Sequence, residues 1–155
     1  MSSMNSTHKS DSSEQLQAER VIFSMIEQRL GVKLEQNRKI FLADNSHTYI
    51  QPDFYSESDR IIGEIFSHIG KPQKAQDNKI ANDILKMLLL EKITKEQYRK
   101  LIVVCDAAEL KKLHGLSALA ESIRQFNIEV LYVEIDENTR KQIIEAQQRQ
   151  RMVNA

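Results

Sequence analysis

Cysteine, tryptophan, proline and glycine are scarce in this chain: one, none, two and four among 155 residues. With Cys105 alone, no internal disulfide can form, and a reducing cytoplasm is the expected compartment. The glycines stand apart at 31, 63, 70 and 115, which excludes a glycine-rich phosphate loop. No apolar run approaches the roughly 20 residues of a membrane span, so no membrane partner is expected. The opening residues also lack the apolar core of a signal peptide. The four histidines form no cluster with zinc-ligand spacing. Charge of one sign is missing too, since Lys plus Arg equals Asp plus Glu at 22 each. That balance argues against a surface built for bulk nucleic-acid binding and turns attention to where the charges lie.

What remains has the length of one ordinary domain with a real core. Residues 1–13 are rich in Ser, Asn and Thr with no apolar run and are expected to be a disordered tail. The domain then covers residues 14–155. Leu16, Ile22, Phe23, Ile26 and Leu30 recur at helical spacing, and Gly31 marks the helix end. Residues 39–43, 48–55 and 60–66 are expected to form a three-stranded meander, with a turn at Asp44-Asn45-Ser46-His47. A second amphipathic helix over residues 73–91 has Ile80, Ile84, Leu85 and Leu88 on its core side. Leu101 to Cys105 is a near-continuous apolar run, the pattern of a strand buried on both faces, with Cys105 a small core residue. Asp106, just after it, is expected to cap a following helical turn. A helix over 118–126, a strand over 129–135 and a helix over 137–152 complete the chain. The fold class is α/β: a single-domain mixed central sheet flanked by helices, in the order α-β-β-β-α-β-α-β-α.

The most specific feature is the hairpin Tyr49-Ile50-Gln51-Pro52-Asp53-Phe54-Tyr55 … Arg60-Ile61-Ile62-Gly63-Glu64-Ile65-Phe66. A turn centred on Glu57-Ser58 pairs Tyr55 with Arg60 and Asp53 with Ile62. Glu64 is then the diagonal neighbour of Asp53, with Cβ atoms roughly 7–8 Å apart. The other face carries Ile50, Pro52, Phe54, Ile61 and Ile65. Two like charges this close repel unless a cation lies between them, which points to a metal site.

Pro52-Asp53 followed by Glu64 within this element order resembles the PD-(D/E)XK nuclease superfamily, whose members have a restriction endonuclease-like fold. The resemblance covers roughly residues 14–135. It implies a metal-dependent nuclease that hydrolyses DNA phosphodiester bonds. Asp53, Glu64 and the backbone carbonyl of Ile65 would hold Mg2+, with Mn2+ as a substitute, because an all-oxygen shell that keeps waters suits magnesium. The superfamily also implies an acid on the first helix, and Glu19, among Ile22, Phe23, Ile26 and Leu30, is the match; Glu27 is the alternative. The family's lysine, two residues after the second acid, is missing, because Phe66 stands there. Lys79 on the second helix is the expected replacement. Gln76, one turn before it, and Lys74, in the first turn, are candidates to position substrate or water. Asp83 shares the face of Gln76 and Lys79, and His68 falls at the site margin. Lys71, Lys74, Arg140, Lys141, Arg149 and Arg151 are expected around the rim. The partner is then nucleic acid, with a homodimer or a larger nuclease complex supplying specificity. The alternative is a catalytically inactive nuclease-like fold used as a binding or assembly module, which Phe66 and the zero net charge favour.

Overall fold

The structure, a computed structural model, describes the backbone of residues 2–43 and 47–154, and side chains at residue 13 and over residues 15–153 apart from 44–46. The side chains of most of the expected tail, and three residues of the expected turn at Asp44-Asn45-Ser46-His47, therefore lie outside the described residues.

Helix α1 (Ser2–Leu30) ends at Gly31, whose φ of 68° is the left-handed geometry that glycine adopts without a Cβ penalty. Three short strands follow: β1 (Glu35–Gln36), β2 (Ile40–Phe41) and β3 (Tyr49–Ile50). The hairpin strands are β4 (Phe54–Ser56) and β5 (Ile61–Phe66), and helix α2 (Lys74–Thr94) comes next. Then come β6 (Arg99–Val104), α3 (Ala107–Leu113), α4 (Ala118–Gln125), β7 (Ile128–Tyr132) and α5 (Glu137–Asn154). The central sheet has the order β1-β4-β5-β6-β7, antiparallel from β1 to β5 and parallel from β5 to β7. It is a mixed five-stranded sheet, as the sequence pattern implies.

Helices cover both faces of the sheet. Leu101, Val103 and Cys105 pack with Ala18, Ile22 and Ile26 of α1 and Ile143 of α5. Ile102 and Val104 point the other way, to Ile80, Ile84 and Met87 of α2, Leu113 of α3 and Ile123 of α4. The unbroken apolar run of β6 is the consequence of being buried on both sides. Near the start of this strand Lys100 is buried, with its Nζ 2.9 Å from Glu91 Oε2; the Tyr98 N–H donates to the same oxygen at 2.8 Å.

Five expectations need correction. The meander does not form: β2 and β3 make a separate two-stranded sheet, and β1 takes their place beside β4. The stretch from Thr48 to Tyr55 is interrupted at Gln51-Pro52-Asp53, because proline lacks the N–H that a continuing ladder needs. Ile50 consequently packs on the α2 side, with Ile62, and not with Phe54 and Ile61. On the helices, Leu16 and Leu85 are 51% and 64% exposed. The buried stripe of α1 runs Ala18–Ile22–Ile26, at intervals of four residues. That of α2 runs Ile80–Ile84–Met87, so Leu85, a further 100° round from Ile84, faces outward.

The hairpin register is also shifted. Phe54 pairs with Gly63, Tyr55 with Ile62 and Ser56 with Ile61, so the loop is Glu57-Ser58-Asp59-Arg60. Ser56 Oγ accepts the Asp59 N–H and donates to Asp59 Oδ2, both at 3.1 Å, and Arg60 turns the chain at a φ of 55°. These bonds put Arg60 in the turn and out of the ladder. The ring of Phe54, fully buried, lies on Gly63, where an added Cβ would come within 1.9 Å of its Cζ.

Candidate active site

Extending the β4–β5 register by one pair sets Asp53 directly opposite Glu64, one step closer than the diagonal expected from sequence. Both acids take the α2 side of the sheet, the side of Tyr55 and Ile62, so that side is apolar as well as acidic. At this point β4 has ended and β5 continues. The open edge of β5 is filled by Asp53 itself, whose Oδ2 accepts the Ile65 N–H at 2.7 Å. Burial, then the charge of Asp53 and a hydrogen bond with it, push the Glu64 carboxyl up to about 9. At neutral pH the two carboxyls therefore hold a proton between them.

Lys79 stands where the hairpin lacks a cation. Its Nζ lies 5.6 Å from the centre of the Phe66 ring, so α2 brings an ammonium over the side chain two residues after Glu64. Lys79 and Asp53 border two spaces. One is a cleft of about 360 Å³ that also includes Glu19, Ile65, His68 and Gln76. The other is a recess of about 220 Å³ holding Glu64 and Asp83. Glu19 is half-buried at the edge of the α1 stripe and not at its centre. Burial raises its pKa, and Asp53 adds to the effect while Lys79 opposes it. Glu27 is not part of this group, since its Oε2 accepts the Leu34 N–H at 2.9 Å, beyond the end of α1.

The structure thus brings together Glu19, Asp53, Glu64, Ile65, Gln76 and Lys79. It does not bring Lys74, which is exposed in the first turn of α2 and borders neither space. Five residues before Lys79, Lys74 stands about 140° round the helix from it, on a different face of α2. None of Lys71, Arg140, Lys141, Arg149 and Arg151 borders the cleft either, and among the described residues Lys79 is its sole lysine or arginine.

The fold sets two further side chains beside these spaces. Asp83 is buried in the α2 stripe, and burial raises its pKa, with Lys86 and Lys79 opposing and Asp53 adding. An acid between Ile80 and Ile84 on a core-facing stripe is the signal that marks it. Gln147 of α5 donates to the Ile69 carbonyl and accepts the Ile69 N–H, both at 2.9 Å, fastening the segment after β5. No sequence pattern links residues 69 and 147. Asp106 caps α3 as expected, accepting the Ala108 N–H, and its other oxygen accepts the Gly70 N–H; both bonds are 2.8 Å.

Among the described residues no three His, Cys, Asp or Glu side chains close into a metal cage. Any ion at Asp53 and Glu64 would complete its shell with backbone oxygen and water. No described helix is long and apolar enough to cross a membrane. No protein-family model matches the chain, and neither curated proteins nor solved structures give a match to it.

Proposed function

We propose that this chain is a magnesium-dependent nuclease of the PD-(D/E)XK type that hydrolyses DNA phosphodiester bonds. The observation that carries the reading is the opposed Asp53/Glu64 pair with the Lys79 ammonium over Phe66. A mixed sheet with helices on both faces and acids at one end of the central hairpin is compatible with a restriction endonuclease-like fold.

The donors fit magnesium. They are all oxygen, two carboxylates and the Ile65 carbonyl, a donor set that would suit an ion which keeps several of its waters. The pair's retained proton marks a place where positive charge is stabilised. When bound, the ion would stabilise charge on the scissile phosphate and lower the pKa of a water. Lys79 offsets charge on the phosphate as the water attacks and orients that water. Glu19, across the cleft, accepts a hydrogen bond from the water, and Gln76 holds a phosphate oxygen or the water through its amide.

The test is cleavage of single-stranded, duplex and branched DNA with Mg2+ or Mn2+. Lys79→Ala is expected to abolish cleavage while leaving the fold and magnesium affinity nearly intact, and Lys74→Ala to change little. Asp53→Asn should lose magnesium binding in calorimetry. Full activity in Lys79→Ala rejects its role. A wild type that cuts none of these substrates, and an Asp53→Asn variant that gains stability, would favour the inactive binding module.

A further inference from the structure

Beside the acids, the cleft is bordered by Gln15 of α1, Gln36 and Asn37 at β1, Gln76 of α2 and Gln150 of α5. Gln147, also on its wall, is committed to the Ile69 backbone, but among the described residues no hydrogen bond occupies the five other carboxamide groups. Elements distant in sequence thus converge on one space with neutral side chains, each holding a donor and an acceptor side by side. Phosphates select for Lys and Arg, whereas paired donors and acceptors match the edges of nucleobases. With one lysine on its wall among the described residues, the cleft is equipped for few phosphates. Its volume of about 360 Å³ lies at the small end of ligand pockets, a size suited to one nucleotide.

Resting on the nuclease reading above, we infer that the cleft takes an unpaired nucleotide, whose base is held by these carboxamides beside the scissile phosphate. The DNA acted on is therefore single-stranded at the cleavage position. In a paired duplex the base edges are engaged and stacked, and entry requires extruding a nucleotide at a cost of a few kcal/mol. At the cleft, α1 and α5 hold Gln15 and Gln150, Gln76 reads from the α2 side, and Asp53 with Lys79 marks where the phosphate goes.

The experiment measures anisotropy of labelled DNA on the full-length protein with Ca2+ in place of Mg2+, the oligonucleotides being checked intact by gel. Single-stranded DNA is expected to bind about tenfold or more tightly than a duplex of the same sequence. A single strand with abasic sites should lose a comparable factor. The double variant Gln15→Ala/Gln150→Ala should weaken single-strand binding about tenfold, for two lost hydrogen-bonding groups, with unchanged magnesium affinity and unchanged binding of the abasic strand. Duplex bound as tightly as single strand, or abasic DNA bound as tightly as intact DNA, overturns the inference. If duplex is also cut in preference, the nuclease reading stands while this inference fails. No binding and no cleavage of any DNA overturns both.

Discussion

Replacing Glu64 by Gln isolates the proton that the hairpin pair retains. An amide cannot ionise, so the variant holds the pair in the form that the proton gives it. In the wild type the Glu64 carboxyl rises from 4.5 to about 9, through burial first and Asp53 second. The folded chain therefore binds a proton that the unfolded chain has already released above 4.5. Stability from this group is fully present below 4.5 and is lost as pH rises through about 9. In that window the slope is about 1.4 kcal/mol per pH unit, or about 3 kcal/mol between roughly pH 6 and pH 8. Denaturant unfolding across that range should show this fall in the wild type and its absence in Glu64→Gln. The same proton governs the metal. Calorimetry near neutral pH, in buffers of differing ionisation enthalpy, should show about one proton leaving the pair per magnesium taken up. Apparent affinity should rise about tenfold per pH unit until the pair is deprotonated. Parallel slopes for the two proteins, or magnesium binding indifferent to both pH and buffer, would refute the shared proton.

Gly63→Ala forces a Cβ into the fully buried Phe54 ring and should cost about 2–3 kcal/mol, lowering Tm by about 5–10 °C in a thermal melt, with partial recovery in Gly63→Ala/Phe54→Leu. Asp106→Ala removes the α3 cap and the acceptor for the Gly70 N–H, a loss of about 2 kcal/mol by denaturant unfolding. Burial opposes the Asp106 charge, but the N–H groups of Gly70, Ala108 and Glu109 outweigh it and lower its pKa, so its contribution is present above 3.8 and is lost as pH falls below that value. The Cys105 thiol, pushed up to about 12 by burial, should resist alkylation in the native protein and react fully in denaturant, as mass spectrometry would read.

Periodicity carried most of the architecture. The spacing of Ile80 and Ile84, the unbroken run at 101–105 and the glycine at 31 each encode one local preference that tertiary packing agrees with. Parity also carried the acids: a shift of the turn centre by one residue moves the pairing by two, which keeps Asp53 and Glu64 on one face while changing their separation. The turn itself was not legible, because its position depends on Ser56 bonding Asp59 and on Arg60 taking a positive φ, and several polar residues in that stretch are equally suited to both. The position of Lys79 beside the hairpin follows from the face of α2 that it shares with Gln76. Gln147, Gln150 and Gln36 were beyond reach because they meet the cleft only through packing between distant elements. Asp83 carried a readable signal, a carboxylate in an apolar stripe, that pattern alone ranked below its neighbours.

The buried contact between Lys100 and Glu91 has a consequence for how β6 finds its place. A slide of two residues along β5 that carried Leu101 into the place of Val103 and Ile102 into that of Val104 would keep those two positions apolar, one on each face. Hydrophobic burial is nearly blind to that error. The ammonium of Lys100 is not, since away from Glu91 Oε2 and the Tyr98 carbonyl it would be shut from water with no counter-charge. One lysine at the mouth of an oily strand thus breaks a degeneracy that five apolar residues share. By fixing where β6 stops, it also fixes Asp106 opposite Gly70 and the segment that walls the cleft. Exchanging the pair together for apolar residues should therefore leave a chain that folds tightly but samples a second strand alignment, with its cleft wall displaced.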